Sequence, residues 1–364
     1  MRTSHPTLAL ISKAFSIKEF PGALMSVRTR RSIARLPRAK LVLIALLSLP
    51  ALGQKPPEST PATQPAAVMW TDPGDIKAKD LFNGPGGKGR GPQLPVKFLK
   101  EDMGGHNPKF DVEDANGTKW KVKLGIEAQP ETVATRLLWS IGYFANENYF
   151  VPDLEVSDLP QLRRGQNDVI SPNHIAKARL QRHPGGEKKE AVWHWRHNPF
   201  KGKREFNGLR VMMVLISNWD LKDENNAVFK DKKSGEEEYL VTDVGTAFGA
   251  SGNRYSEAGS KNNLKAYQSS RFIADITPKY VNFGFPRFPP LLYFFDFPHY
   301  FPQIWLRWIG HHIPREDAKW VGSLLAQLST DQIKDAFRAG GYQPDEAAAF
   351  TSALQARIAE LNRL

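Results

Sequence analysis

Apolar and polar residues alternate along "KFDVEDANGTKWKVKLG", residues 109–125, and the alternation breaks at Asn116-Gly117. Asn-Gly accepts the positive φ that a tight turn demands. The pattern predicts a hairpin, with strands at 109–113 and 118–124. In the second strand Trp120, Val122 and Leu124 share one face, while Lys119, Lys121 and Lys123 share the other. The period then lengthens. In "PETVATRLLWSIGY" the apolar residues Val133, Leu137, Leu138 and Ile141 recur at helical spacing. Pro130 suits a first turn and Gly142 a helix end. Residues 148–158 read as a strand, and "FNGLRVMMVLISNW", 206–219, as a buried helix. "NAVFKDKKSGEEEYLVTDV" reads as a second hairpin with a charged turn. Residues 262–312 are crowded with Pro and aromatic residues and predict irregular structure. Helices return at 315–328, 330–339 and 344–362, where "STDQ" and "QPDE" look like helix starts. Strands dominate the first half and helices the second, which predicts an α+β, two-lobed arrangement.

Composition narrows the chemistry. Of the 364 residues, 41% are hydrophobic, enough for a sizeable core, and none is cysteine. Disulfides and cysteine-based zinc or redox sites are therefore excluded. The +12 net charge is mostly local: residues 1–53 hold nine Lys/Arg and one Glu, so +8 falls there and +4 on the remainder. A balance that mild does not predict nucleic-acid binding, which needs a concentrated basic face.

The N-terminal charge precedes a mostly apolar run, "LVLIALLSLPALG", residues 41–53, with small residues Ala51 and Gly53 before Gln54. This is the layout of a secretory signal, with a possible true start at Met25. "TRRSIAR" weakly resembles a twin-arginine signal, so the export route stays open. The expected mature protein is periplasmic or extracellular. Residues 54–69, rich in Pro, Thr and Ala, read as a flexible linker. An N-lobe is expected over 70–155 and a C-lobe over 156–364. The aromatic run 285–310 suggests core packing or a peripheral membrane contact.

The histidines His194, His197, His311 and His312 lack metal-ligand spacing, and no G-x-S-x-G signals a hydrolase. A different constellation stands out. "NWDLKDENN" runs from Asn218 to Asn226, directly after the predicted buried helix, and "VTDVGTAFG" follows the second hairpin. Asp220, Asn225 and Asp243 thus sit in one loop and at the next strand's end, the two Asp being 23 positions apart. Phosphoryl transfer uses such a set: one carboxylate for the attacking hydroxyl, an amide and a second carboxylate for magnesium.

These segments resemble those of protein kinases. "NWDLKDENN" is similar to the catalytic loop H-R-D-x-x-x-x-N, and "TDVG" to D-F-G. "WKVK" resembles the V-A-I-K strand, and "GPGGKG", residues 84–89, fits G-x-G-x-x-G while also reading as a linker. Asn218-Trp219 replaces His-Arg, Val244 replaces Phe, and A-P-E is not evident, so the resemblance is to divergent kinase-like proteins such as the HipA-type and CotH-type kinases. It implies a two-lobed kinase-like fold, with a strand-rich N-lobe and a helical C-lobe. It implies Asp220 as the catalytic residue, and Asn225 and Asp243 as Mg2+ ligands. Lys123, or alternatively Lys121, would engage the ATP phosphates. Glu131 would pair with that lysine, with Glu127 and Glu147 as alternatives. The acceptor hydroxyl is unidentified, and a catalytically inactive binding protein on the same fold is the competing expectation.

Overall fold

The computed structural model describes residues 65–105, 107–182, 189–250, 261–284 and 305–364. The leader, most of the linker and residues 285–304 of the aromatic run lie outside these.

The alternating segments form strands whose apolar faces turn inward. β2 (Val96–Asp102), β3 (Lys109–Glu113) and β4 (Lys119–Lys123) make an antiparallel meander. β5 (Glu147–Ser157) and β7 (His174–Arg182) are antiparallel partners. β7 also pairs with β4, and β5 pairs with β2 in parallel. The five strands therefore close on themselves, and β6 (Val169–Ser171) extends β7 outside the ring. Closure leaves few unpaired edges. Val96, Val112, Trp120, Val122, Leu154 and Leu180 fill the interior. Trp120 is anchored there by its indole N–H, which donates to Asp114 at 2.9 Å. The predicted hairpin at 109–124 is present, and the barrel's last strand ends at Arg182.

Helix α1 (Ala128–Ser140) follows β4 at once. Its stripe of Val133, Leu137, Leu138 and Ile141 is buried, as the periodicity predicts. That stripe joins the larger core, made chiefly by α2 (Arg204–Leu215) and the C-terminal helices α4 (Arg315–Leu325), α5 (Thr330–Ala339) and α6 (Pro344–Asn362). Capping boxes start α5 at Ser329 and α6 at Gln343, where the sequence placed helix starts. The chain is thus α+β, with a strand-rich part followed by a helix-rich part. Among the described residues no helix is long and apolar enough to cross a membrane.

The segment expected to be irregular is only partly so. It contains α3 (Leu264–Ser269), β10 (Ile273–Ile276) and β11 (Tyr280–Phe283). β11 also pairs with β12 (Ile313–Pro314). Both strands are short, and β11 takes part of its pairing from a segment some thirty residues away, a contact no local pattern encodes. β2 likewise escapes a periodicity reading, because its outer face alternates poorly. The small sheet of β1 (Ala67–Val68), β9 (Glu237–Val241) and β8 (Asn226–Lys230) holds the second predicted hairpin. Asn226 opens β8, directly after the "DEN" turn.

Candidate functional site

β4 ends at Lys123, and α1 begins five residues later. The short connection puts the last lysine of the strand beside the first turn of the helix. Lys123 Nζ lies 2.9 Å from Glu131, 3.1 Å from Glu127 and 3.0 Å from Asp243. Glu131 is fully buried and also receives Arg179 of β7 at 3.1 Å. Glu127 also receives Lys261 at 2.9 Å and the side-chain amide of Asn107. Three cations and three carboxylates therefore interlock around one ammonium group.

Burial acts against every charge in the cluster, and the partners decide the outcome. It would lower Lys123, but Glu131, Asp243 and Glu127 hold the ammonium above the ordinary lysine value. It would raise Asp243 and Glu127, yet Lys123 keeps both below the usual carboxylate range, joined by Arg179 for Asp243 and by Lys261 for Glu127. Glu131 is pushed upward by its complete burial, against the pull of Arg179 and Lys123. Its Oε1 makes no hydrogen bond. Asp243 keeps 36% of its side chain open to solvent, which makes it the most accessible of the three carboxylates.

The loop 218–225 sits alongside. β8 and β9 pair Asn226 with Val241, so Asn225 and Thr242 meet at the open end of the hairpin. Thr242 donates to the Asn225 carbonyl from its N–H at 2.8 Å and from its hydroxyl at 2.9 Å. Asn225 Nδ2 donates to the Asp220 carbonyl at 2.6 Å. The Asp220 N–H donates to Thr246 Oγ1 at 3.3 Å, and the Thr246 hydroxyl donates to buried Asn218. The Asp220 carboxylate takes Lys222 at 2.9 Å. Gly245 lies between the two groups: a Cβ there would stand 2.8 Å from Glu127 Cβ and 3.1 Å from Glu131 Oε2.

Of the residues singled out in the sequence, Lys123, Glu131 and Asp243 come into direct contact. Asp220 and Asn225 are contiguous with each other and tied to the Asp243 segment through Thr242 and Thr246. Their side chains make no hydrogen bond or ion pair with the Lys123 cluster. Lys121 is elsewhere, paired with Asp102 at 2.7 Å and Asp111 at 3.2 Å. Glu147 is held by Arg182 at 2.6 Å and Arg90 at 2.9 Å, whereas Glu127 does reach Lys123. The run 84–89 packs Gly84 on Arg136 and Gly86 on Tyr149 and Glu147, away from Lys123. The connection that abuts the cluster is instead the one between β2 and β3. It carries Gly104, Gly105 and Asn107, and the Arg164 guanidinium binds its carbonyls at Asp102, Gly104, Gly105 and Asn107. Its signal is the run "GGHNP", residues 104–108, just before β3, which carries no meaning without β2 on its other side. Arg179, Lys261, Lys222 and Thr246 had no signal of their own.

The arrangement offers hard oxygen donors. Oxygens of Glu127, Glu131 and Asp243 lie within 4.8 Å of one another, a donor set suited to a divalent cation, although the Lys123 ammonium bonds all three.

No family model and no curated protein matches the chain. Among solved structures, the Helicobacter pylori proinflammatory kinase CtkA is similar at 11% identity and a TM-score of 0.43, over 75% of this chain and 97% of that one. A golgi casein kinase is similar at 12% identity and a TM-score of 0.31, over 75% and 73% of the two chains. Scores this low carry no argument, so the functional reading rests on the site itself.

Proposed function

We propose that the chain is a divergent kinase-like protein, with the barrel as N-lobe and the helical part as C-lobe, that transfers a phosphoryl group from Mg·ATP to a hydroxyl acceptor. The observation that carries this reading is the Lys123–Glu131–Asp243 contact, built from a strand, the next helix and a distant strand end. A bound Mg2+ supplies charge neutralisation for the phosphates; Asp243 and Asn225 are the residues that would hold it. Lys123, at the end of β4, would bind the phosphates. Glu131, locked by Arg179, orients Lys123. Asp220 accepts the acceptor's proton, and Lys222 beside it offsets charge on the transferring group. Calorimetry with Mg·ATP on the mature protein tests this; absence of binding removes it.

One observation favours the competing reading, a catalytically inactive binding protein. Every charge in the cluster is already paired within the protein. Asp243→Ala separates the two. Turnover that disappears marks an enzyme; a wild type that binds ATP without turnover marks the inactive form.

Export belongs to the same reading and is supported by the leader pattern of residues 28–53. Sequencing the N-terminus of the protein recovered outside the cytoplasm checks it. A membrane-surface contact through 285–310 is supported by Trp305, which is 65% exposed. Liposome co-sedimentation checks that, and a mature chain left in the supernatant rejects it.

A further inference from the structure

Lys261 enters the cluster from the polypeptide beyond Asp243. Its ammonium lies 2.9 Å from Glu127 Oε1, and only 13% of its side chain is exposed. The placement is not a surface accident, because the next two residues are strapped down. The Asn262 N–H donates to the Ala247 carbonyl at 2.9 Å, and the Asn263 N–H to the Phe248 carbonyl at 2.7 Å. The Asn262 side chain donates to Gln129 of α1 at 3.3 Å and accepts from the Tyr342 hydroxyl.

The charge count gives this placement its meaning. Lys123 touches all three carboxylates, and Arg179 touches Glu131 alone. Without Lys261 these two cations face three carboxylates, and the directly paired groups carry a net negative charge; Lys109, which also feels Asp243, is drawn first to Asp102. A group of that sign attracts a bare divalent cation and repels a polyphosphate. With Lys261 it is balanced, and the approach of an anion meets no net repulsion. Glu127 also competes with any phosphate for Lys123, and Lys261 weakens that competition by drawing the carboxylate to itself. In a partly buried site one unit charge at these distances is worth roughly a tenfold change in affinity or more.

We propose that Lys261 is a specificity-determining residue: by neutralising Glu127 it sets the site to accept a polyphosphate ligand and to disfavour a bare divalent cation. The inference rests on the phosphoryl-transfer reading and names how that site selects its ligand. The residue does not act on the reacting atoms.

The test is calorimetry on the mature protein with two separate probes, ATP in EDTA and Mn2+ alone. Lys261→Met is expected to weaken ATP about tenfold and to tighten Mn2+ about tenfold, because loss of one positive charge moves the two ligands in opposite directions. Lys261→Arg is expected to behave as wild type. The double variant Glu127→Gln, Lys261→Met restores the balance and is expected to return ATP affinity to within about threefold of wild type. A lost strap without a charge effect would move both probes in the same direction, and that outcome overturns the proposal. So does a Lys261→Met protein, folded by circular dichroism, in which neither affinity changes. A Lys261→Met protein that does not fold leaves the decision to the double variant, whose failure to regain ATP binding counts against it. If wild type fails to bind Mg·ATP, the phosphoryl-transfer reading falls and takes this inference with it. If wild type binds and Lys261→Met is indifferent, only this inference falls.

Discussion

Lys123 is the residue on which the site depends, since it touches all three carboxylates and is itself almost without solvent. Removing its charge leaves those groups buried against each other. Lys123→Met is expected to cost about 3–5 kcal/mol of folding stability, the range for breaking a buried pair by deleting one partner. It is also expected to abolish nucleotide binding; urea denaturation and calorimetry check the two effects. Gly245 is constrained by size. Its added methyl would press on Glu127 at 2.8 Å, so Gly245→Ala is expected to lose about 1–3 kcal/mol and to disturb the Lys123 contacts. At this scale the sequence was partly legible. Lys123 could be preferred to Lys121, but only the register shows that Lys121 is held by Asp102 and Asp111.

Elements position the loop 218–225 from two sides. From the Asp243 side, Thr246 accepts from the Asp220 N–H and donates to Asn218. Thr246→Val removes both bonds while keeping the shape. On the phosphoryl-transfer reading it is expected to lower kcat at least tenfold with nucleotide affinity little changed, because Lys123, Glu131 and Asp243 are untouched; steady-state kinetics beside calorimetry shows the split. From the helical side, Arg357 of α6 reaches the end of α2. It donates to the Leu215 carbonyl at 2.8 Å, to Ser217 Oγ at 2.9 Å and to the Tyr267 carbonyl at 2.8 Å. Arg357→Met leaves these buried acceptors unpaired and is expected to cost about 3 kcal/mol, read from a urea midpoint. The helices were legible because their apolar stripes are long. An arginine near the C-terminus that serves a loop some 140 residues earlier leaves no local trace.

At the scale of the whole molecule, the cluster joins the barrel's β4 and β7 to α1 and to the segments after β9, so its titration reads out on global stability. Asp243 and Glu127 have folded pKa values below their unfolded ones. Their stabilisation is present above the ordinary carboxylate value of ~4 and is lost as pH falls through the folded values. Glu131, raised by burial, acts in the opposite sense, losing stability as pH rises from the ordinary carboxylate value toward its folded value, so the acid limb belongs to the other two. Lys123 has a folded pKa above its unfolded one. Its contribution is complete below ~10.4 and is lost as pH rises through the folded value. A thermal-melting profile is expected to fall on the acid side as Asp243 and Glu127 protonate and on the alkaline side as Lys123 loses its proton. The alkaline fall is expected to be smaller in Lys123→Met.

Alternation, helical periodicity, turn dipeptides and capping boxes are local, and local steric and solvation preferences are enough to specify them. For that reason the sequence by itself determined the hairpin at 109–124, α1, the body of α2, the three C-terminal helices and the order Lys123, Asp220, Asn225, Asp243. Closure of the barrel through β4 with β7 and β2 with β5 belongs to the tertiary structure, as do the strands hidden between 262 and 312 and the contact of Asn107 with Glu127. So does the recruitment of Arg179 and Lys261. Each depends on groups far apart in the chain meeting at a few ångströms, where burial makes an unpaired charge costly and selects the partner that neutralises it.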